Sequence, residues 1–138
     1  MPAKDIYHDA VKNGLVKDGW TITNDPYILN IGRKDLFVDL GAEKLISAEK
    51  GEDKIAVEVK SFIGKSRVND LENALGQYIL YKDIMRDVDS ERTIYLAITQ
   101  DVFDDIFKQP IGEVLLKNRR LNLLVFDEKQ EVINQWIP

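Results

Sequence analysis

The run Ile55-Ala56-Val57-Glu58-Val59-Lys60 alternates apolar and polar residues only loosely, and its β-branched side chains suit a strand buried on both faces. Lys50-Gly51-Glu52-Asp53, just before it, supplies a hairpin turn. A strand of this kind sits inside a sheet and needs packing layers above and below, so strands and helices must both come from the rest of the chain.

Both are legible. Tyr7, Ala10, Val11, Gly14 and Leu15 recur at helical spacing, with Asp5 as a cap or first-turn acid and Gly19 as a stop, which predicts helix one from Asp5 to Asp18. Trp20 to Thr23 reads as strand one, and Asn24-Asp25-Pro26 as the turn that ends it. Leu36 to Leu40 and Lys44 to Ala48 look extended, with a bulge or bend at Gly41-Ala42. Asn69-Asp70-Leu71-Glu72 resembles a capping box, and Leu71, Leu75, Tyr78 and Met85 continue a stripe that predicts helix two from Asp70 to Arg86. Thr93 to Ile98 is a buried-type strand, a helical segment from Val102 is interrupted or restarted by Pro110, and Leu121 to Phe126 is a further strand. Asp127 to Gln130 turns the chain so that Val132 to Ile137 pairs back as a terminal hairpin. The predicted class is α/β, a single domain over residues 1–138 with a mixed central β-sheet flanked by helices.

Composition narrows the chemistry. With no cysteine and one histidine, His8, neither a thiolate zinc site nor a histidine cluster is available, so any metal is held by oxygen. A net charge of −5 argues against gripping nucleic acid by bulk electrostatics, so DNA contact is expected to be local or shared with a partner. The N-terminus has no apolar signal region and no stretch approaches the roughly 20 apolar residues of a membrane span. The expected location is the cytoplasm.

Glu58-Val59-Lys60 is the sharpest local feature, because strand alternation puts the carboxylate and the ammonium side by side on one face. Phosphodiester hydrolysis uses a hard cation to polarise the phosphoryl group and generate hydroxide, and carboxylates suit Mg²⁺, with Mn²⁺ as a substitute. Glu58 with Asp39 upstream would hold the ion, and Lys60 would orient the attacking water and offset charge on the phosphorane. Taken alone, the triplet reads as an ordinary solvated strand-end ion pair; its place at the end of an apolar strand, after a hairpin turn and with Asp39 upstream, is what raises it. Asp9 on helix one adds a further candidate carboxylate, although an exposed helical acid is its plain reading, and His8 reads as a surface or partly packed histidine. Lys65 and Arg67, and Lys117, Arg119 and Arg120, form two small basic clusters whose default is a solvated loop.

An N-terminal helix, an Asp on one strand, Glu-x-Lys on the next and then a helix together resemble the restriction-endonuclease-like core. That resemblance implies metal ligation by Asp39 and Glu58 and assistance to water by Lys60. Val38 stands before Asp39 where the superfamily usually has Pro, and antiparallel counting from Gly51-Glu52 brings Glu58 nearer to Lys44 and Glu43, so Glu43 is a rival first acid. Gln77-Tyr78-Ile79-Leu80-Tyr81 is similar to the Gln-x-x-x-Tyr element of RecB-like nucleases, with Gln77 and Tyr81 on one helical face. A buried tyrosine beside a hydrogen-bonding glutamine explains the same pattern structurally.

Longer strings carry a more specific likeness: Pro2-Ala3-Lys4-Asp5, Asp39-Leu40-Gly41-Ala42-Glu43, Ile55 to Phe62, Asp70 to Tyr78, and Gln109-Pro110-Ile111-Gly112. Together they resemble the XisH-type fdxN element excision controlling factors over essentially the whole chain. The resemblance implies a role in excising the fdxN DNA element during heterocyst differentiation in cyanobacteria, beside a site-specific recombinase and a companion factor, XisI. Two functions remain open on it: a Mg²⁺-dependent endonuclease using Asp39, Glu58, Lys60 and Gln77, or a catalytically inactive subunit with the nuclease fold that works by binding its partners. A homodimer is a reasonable way for so small a domain to engage duplex DNA.

Overall fold

The computed structural model of the chain describes residues 5–29 and 45–138. Its elements are α1 (His8–Lys17), β1 (Thr21–Tyr27), β2 (Leu45–Lys50), β3 (Asp53–Val59), α2 (Arg67–Val88), β4 (Arg92–Thr99), α3 (Gln100–Val102) running into a π-helical turn (Phe103–Phe107), α4 (Pro110–Lys117), β5 (Leu123–Asp127) and β6 (Val132–Ile137). The described strands form one six-stranded sheet in chain order. The β1–β2, β2–β3 and β5–β6 pairs are antiparallel, and β3–β4 and β4–β5 are parallel. Parallel neighbours need a crossover: α2 provides the first, and α3, the π turn and α4 the second. The chain is thus α/β with a mixed sheet, as its periodicities predict. Among the described residues no helix is long and apolar enough to cross a membrane.

β3 is the third strand of six and is buried from Ile55 to Val59. Its pleat divides the core in two. Ile55, Val57 and Val59 pack with Ile46, Leu124 and Phe126 under Val11 and Leu15 of α1. On the other face Ala56 joins Leu45, Leu96 and Ile98 beneath Leu71, Ala74, Tyr78 and Met85 of α2. Each fully buried leucine, isoleucine or valine contributes roughly 1.5–3 kcal/mol to holding the layers together. The stripe predicted for helix two is the face α2 buries, with Leu75 partly covered at its margin.

Three local expectations are corrected. α1 begins at His8, because the Asp5 carboxylate does not cap the helix but accepts the Tyr7 and Ser61 amides, both at 2.9 Å. Asn24-Asp25-Pro26 does not end strand one: β1 runs through it to Tyr27 with irregular register, since an edge strand tolerates a proline that a central strand would not. α2 starts at Arg67, because Ser66 caps it by accepting the Asn69 amide at 3.2 Å, three residues before the predicted box. The Gly51 turn and the terminal hairpin form as predicted, with Lys50 paired to Asp53 and Asp127 to Val132.

Candidate functional site

The end of β3 carries both residues of the triplet. Glu58 lies opposite Leu45 on β2 and Leu96 on β4, one residue from the Lys44 suggested by counting back from the turn. Its position on the pleat puts it on the α2 side, in step with Ala56. Only 2% of Glu58 is exposed, which is rare for a carboxylate and requires compensation by charge or hydrogen bonds. Lys60 Nζ lies 3.6 Å from its Oε1 and is itself 23% exposed, so the ammonium links the buried acid to the surface.

The chain turns sharply after Lys60. The Lys60 amide continues the β4 ladder through Ala97 O, the Ser61 amide goes to Asp5, and Phe62 takes a φ of +55°, a region few non-glycine residues enter. That turn buries Phe62 under α2 and lets the Gly64 amide donate to Asp70 Oδ2 at 2.9 Å. An added Cβ at Gly64 would lie 2.6 Å from Asp70 Oδ1, so the Asp70 carboxylate would have to shift to admit it.

Between this turn and α2 lies a cleft of about 390 Å³. Lys60, Gln77, Asp5, Asp70 and Asn73 are among its lining residues. Gln77 Oε1 is buried and has no hydrogen-bond partner among the described residues, an acceptor held in reserve at the cleft wall. The structure thus brings Lys60 and Gln77 to one cleft, with Glu58 directly behind Lys60. Tyr81, one turn along α2 from Gln77, is 2% exposed in the apolar core and is not part of the cleft lining. Asp9 is exposed on α1. Asp39 and Glu43 fall outside the described residues. Among the described residues no three carboxylates or imidazoles converge as a metal site.

Asp5, Asp70 and Asn73 are cleft residues that sequence reasoning missed. Asp5 was legible as an acid near a helix start, but its partner Ser61 is 56 residues away, and nothing along the chain signals that. His8 is neither at the surface nor partly packed but 2% exposed, and its Nε2 lies 2.7 Å from Asp25 Oδ1. Of the basic clusters, Lys65, Arg67, Lys117, Arg119 and Arg120 are all exposed, with Arg67 3.6 Å from Asp105.

The family profile described as XisH protein matches residues 1–134. The chain belongs to the XisH family. Two solved structures show the family fold. An XisH family protein from Nostoc punctiforme PCC 73102 is 38% identical with a TM-score of 0.85, over 97% of this chain and 100% of that one. An fdxN element excision controlling factor protein from Anabaena variabilis is 37% identical, also with a TM-score of 0.85, over 98% of this chain and 100% of that one. No curated protein matches. In this XisH chain the paired Glu58 and Lys60 and the Gln77 cleft lie at the end of the central strand β3 and on the crossover helix α2.

Proposed function

We propose that this chain controls excision of a DNA element of the fdxN type and acts as a Mg²⁺-dependent, nuclease-like DNA-processing protein. The observation that carries the reading is a carboxylate buried on the central strand, 3.6 Å from an ammonium that lines a cleft. The name of the Anabaena variabilis relative supports the biological role, and the resemblance of Asp39, Glu58, Lys60 and Gln77 to a restriction-endonuclease-like core supports the chemistry.

Carboxylate and amide oxygens are the donors at hand, which fits Mg²⁺, or Mn²⁺ in its place, in kind. Glu58 would hold the ion with Asp39 as the second ligand and Glu43 as its rival; such an ion would supply polarisation of the phosphodiester and activation of water. Burial fixes Glu58 in orientation. Lys60 orients the nucleophile and balances charge on the phosphorane. Gln77, on the cleft wall, would offer its side-chain amide to a group that enters the cleft. Exposed Lys65 and Arg67, which follow Gly64 at the cleft, supply the local phosphate contact that an acidic chain still needs.

Calorimetric titration with Mn²⁺ tests the metal step. Saturable binding by the wild type that is lost in Glu58→Gln, with unchanged circular dichroism, is expected; equal binding by both proteins overturns it. A net charge of −5 favours a second reading, in which the fold is kept and function lies in binding the companion factor XisI or the recombinase. On that reading Glu58→Gln leaves complex formation and excision intact.

A further inference from the structure

α1 has only 10 residues, about 15 Å of helix, and among the described residues one end of its sheet face is left open. At that end, beside the β2–β3 turn, is a second cleft of about 510 Å³. Its walls are aromatic: Trp136 stands 5.6 Å from Trp20 and 5.0 Å from Tyr95, ring centre to ring centre. Its rim is acidic, with Asp18, Glu52, Asp53 and Glu91 against Lys50 and Lys54. The C-terminal end of α1, carrying the negative end of the helix dipole, also ends here at Asp18.

Aromatic faces, carboxylates and a helix C-terminus all favour the same guest, a cation. The chain already shows this with its own lysine. Lys50 Nζ donates to the carbonyl of Asp18 at 2.7 Å and lies 5.9 Å from the Trp20 ring centre. Lys54 is 3.5 Å from Glu91. Glu52 and Asp53 have no ion-pair partner among the described residues, and burial, with the Asp53 charge as a lesser cause, holds the Tyr95 hydroxyl above its ordinary pKa. One side of the cleft is therefore matched by lysine and the other is left acidic. The same charge disfavours phosphate, so the cleft is not a DNA surface.

We infer that this cleft receives an arginine or lysine side chain presented by a partner protein, seated against Tyr95 and Trp136 and neutralised by Glu52 and Asp53. The site lies at the opposite end of β3, and on the opposite face of the sheet, from Glu58 and Lys60, and does not rest on the nuclease reading.

Both tryptophans of the chain, Trp20 and Trp136, line this cleft, so tryptophan emission, excited selectively over tyrosine, reports on it. The experiment titrates the full chain with a short Arg-Gly repeat peptide, with a Gln-Gly peptide of equal length, and with spermidine. A saturable fluorescence change with the Arg-Gly peptide, absent with Gln-Gly and weakened about tenfold in the Glu52→Gln/Asp53→Asn variant, is the expected result. If that variant misfolds by circular dichroism, Glu52→Gln alone, in the exposed turn, carries the comparison with a smaller but measurable loss. No saturable change, an equal response to Gln-Gly, or undiminished binding by the variants overturns the inference. Spermidine binding as tightly as the peptide overturns the assignment to a protein partner.

Discussion

The hydroxyl of Tyr78 joins three elements: from α2 it donates to Ile94 O at 3.3 Å on β4 and accepts the Asn122 amide at 3.0 Å just before β5. Burial pushes its pKa up to about 12, so it stays a donor at any ordinary pH. Tyr78→Phe keeps the ring and strips the Asn122 amide of this acceptor, and should cost about 1–3 kcal/mol in urea unfolding. A loss near zero would show that another acceptor replaces it. The sequence placed Tyr78 on the buried stripe but was silent on both partners. His8 fails in the same way: spacing along α1 tells that a position faces inward only when its neighbours are apolar, whereas His8 is buried by a polar partner, Asp25, on another element. Glu58 was legible as a strand residue beside Lys60, yet its near-complete burial follows from β2, β4 and α2 closing around it.

At the scale of elements, the segment after β4 is tightly packed. Pro110 opens α4 as a first-turn proline, and Gly112 behind it is buried, where an added Cβ would lie 2.4 Å from both Ile106 O and Phe107 Cα. These are backbone atoms of the π turn and cannot swing away. Gly112→Ala should therefore destabilise by about 1–3 kcal/mol or more in denaturant unfolding; a neutral result would mean that α4 slides freely on the turn. Ser66→Ala should cost about 1 kcal/mol by the same measure, through loss of the Asn69 cap. Strand and helix existence was legible because it rests on periodicity, as β3 and α2 show. Ends were less so: α1, β1 and α2 all shifted, since capping and edge irregularity depend on side chains such as Asp5 and Ser66 and on which strand faces solvent.

Over the whole molecule, α1 is strapped to both edges of the sheet. His8 and Lys12 hold Asp25 on β1 at 2.7 and 3.0 Å, while Asn13 and Lys17 donate to Glu131 and Gln130 at the β5–β6 turn. On the other face Arg92, 8% exposed, joins Asp89 at 2.8 Å, Glu49 at 3.6 Å and the Ile55 carbonyl at 2.9 Å, and Tyr27 donates to Asp89. Burial alone would raise the pKa of Asp25 and Asp89, but hydrogen bonds and charge from Lys12 and His8, and from Arg92 and Tyr27, hold both below 3.8. A carboxyl depressed in the folded state stabilises it above its unfolded pKa and loses that contribution as pH falls through the folded value. Thermal stability should thus drop as pH falls below about 4, and Asp25→Asn/Asp89→Asn should flatten the slope; an unchanged slope would assign acid sensitivity elsewhere. Whether Glu58 and Lys60 form a working site is decided by cleavage of supercoiled and linear DNA in Mg²⁺ or Mn²⁺ by wild type, Glu58→Ala and Lys60→Ala, each alone and with the proposed companion factor. Products from wild type that both variants abolish are predicted; no products from a folded wild type, with partner binding intact in all three proteins, would contradict it.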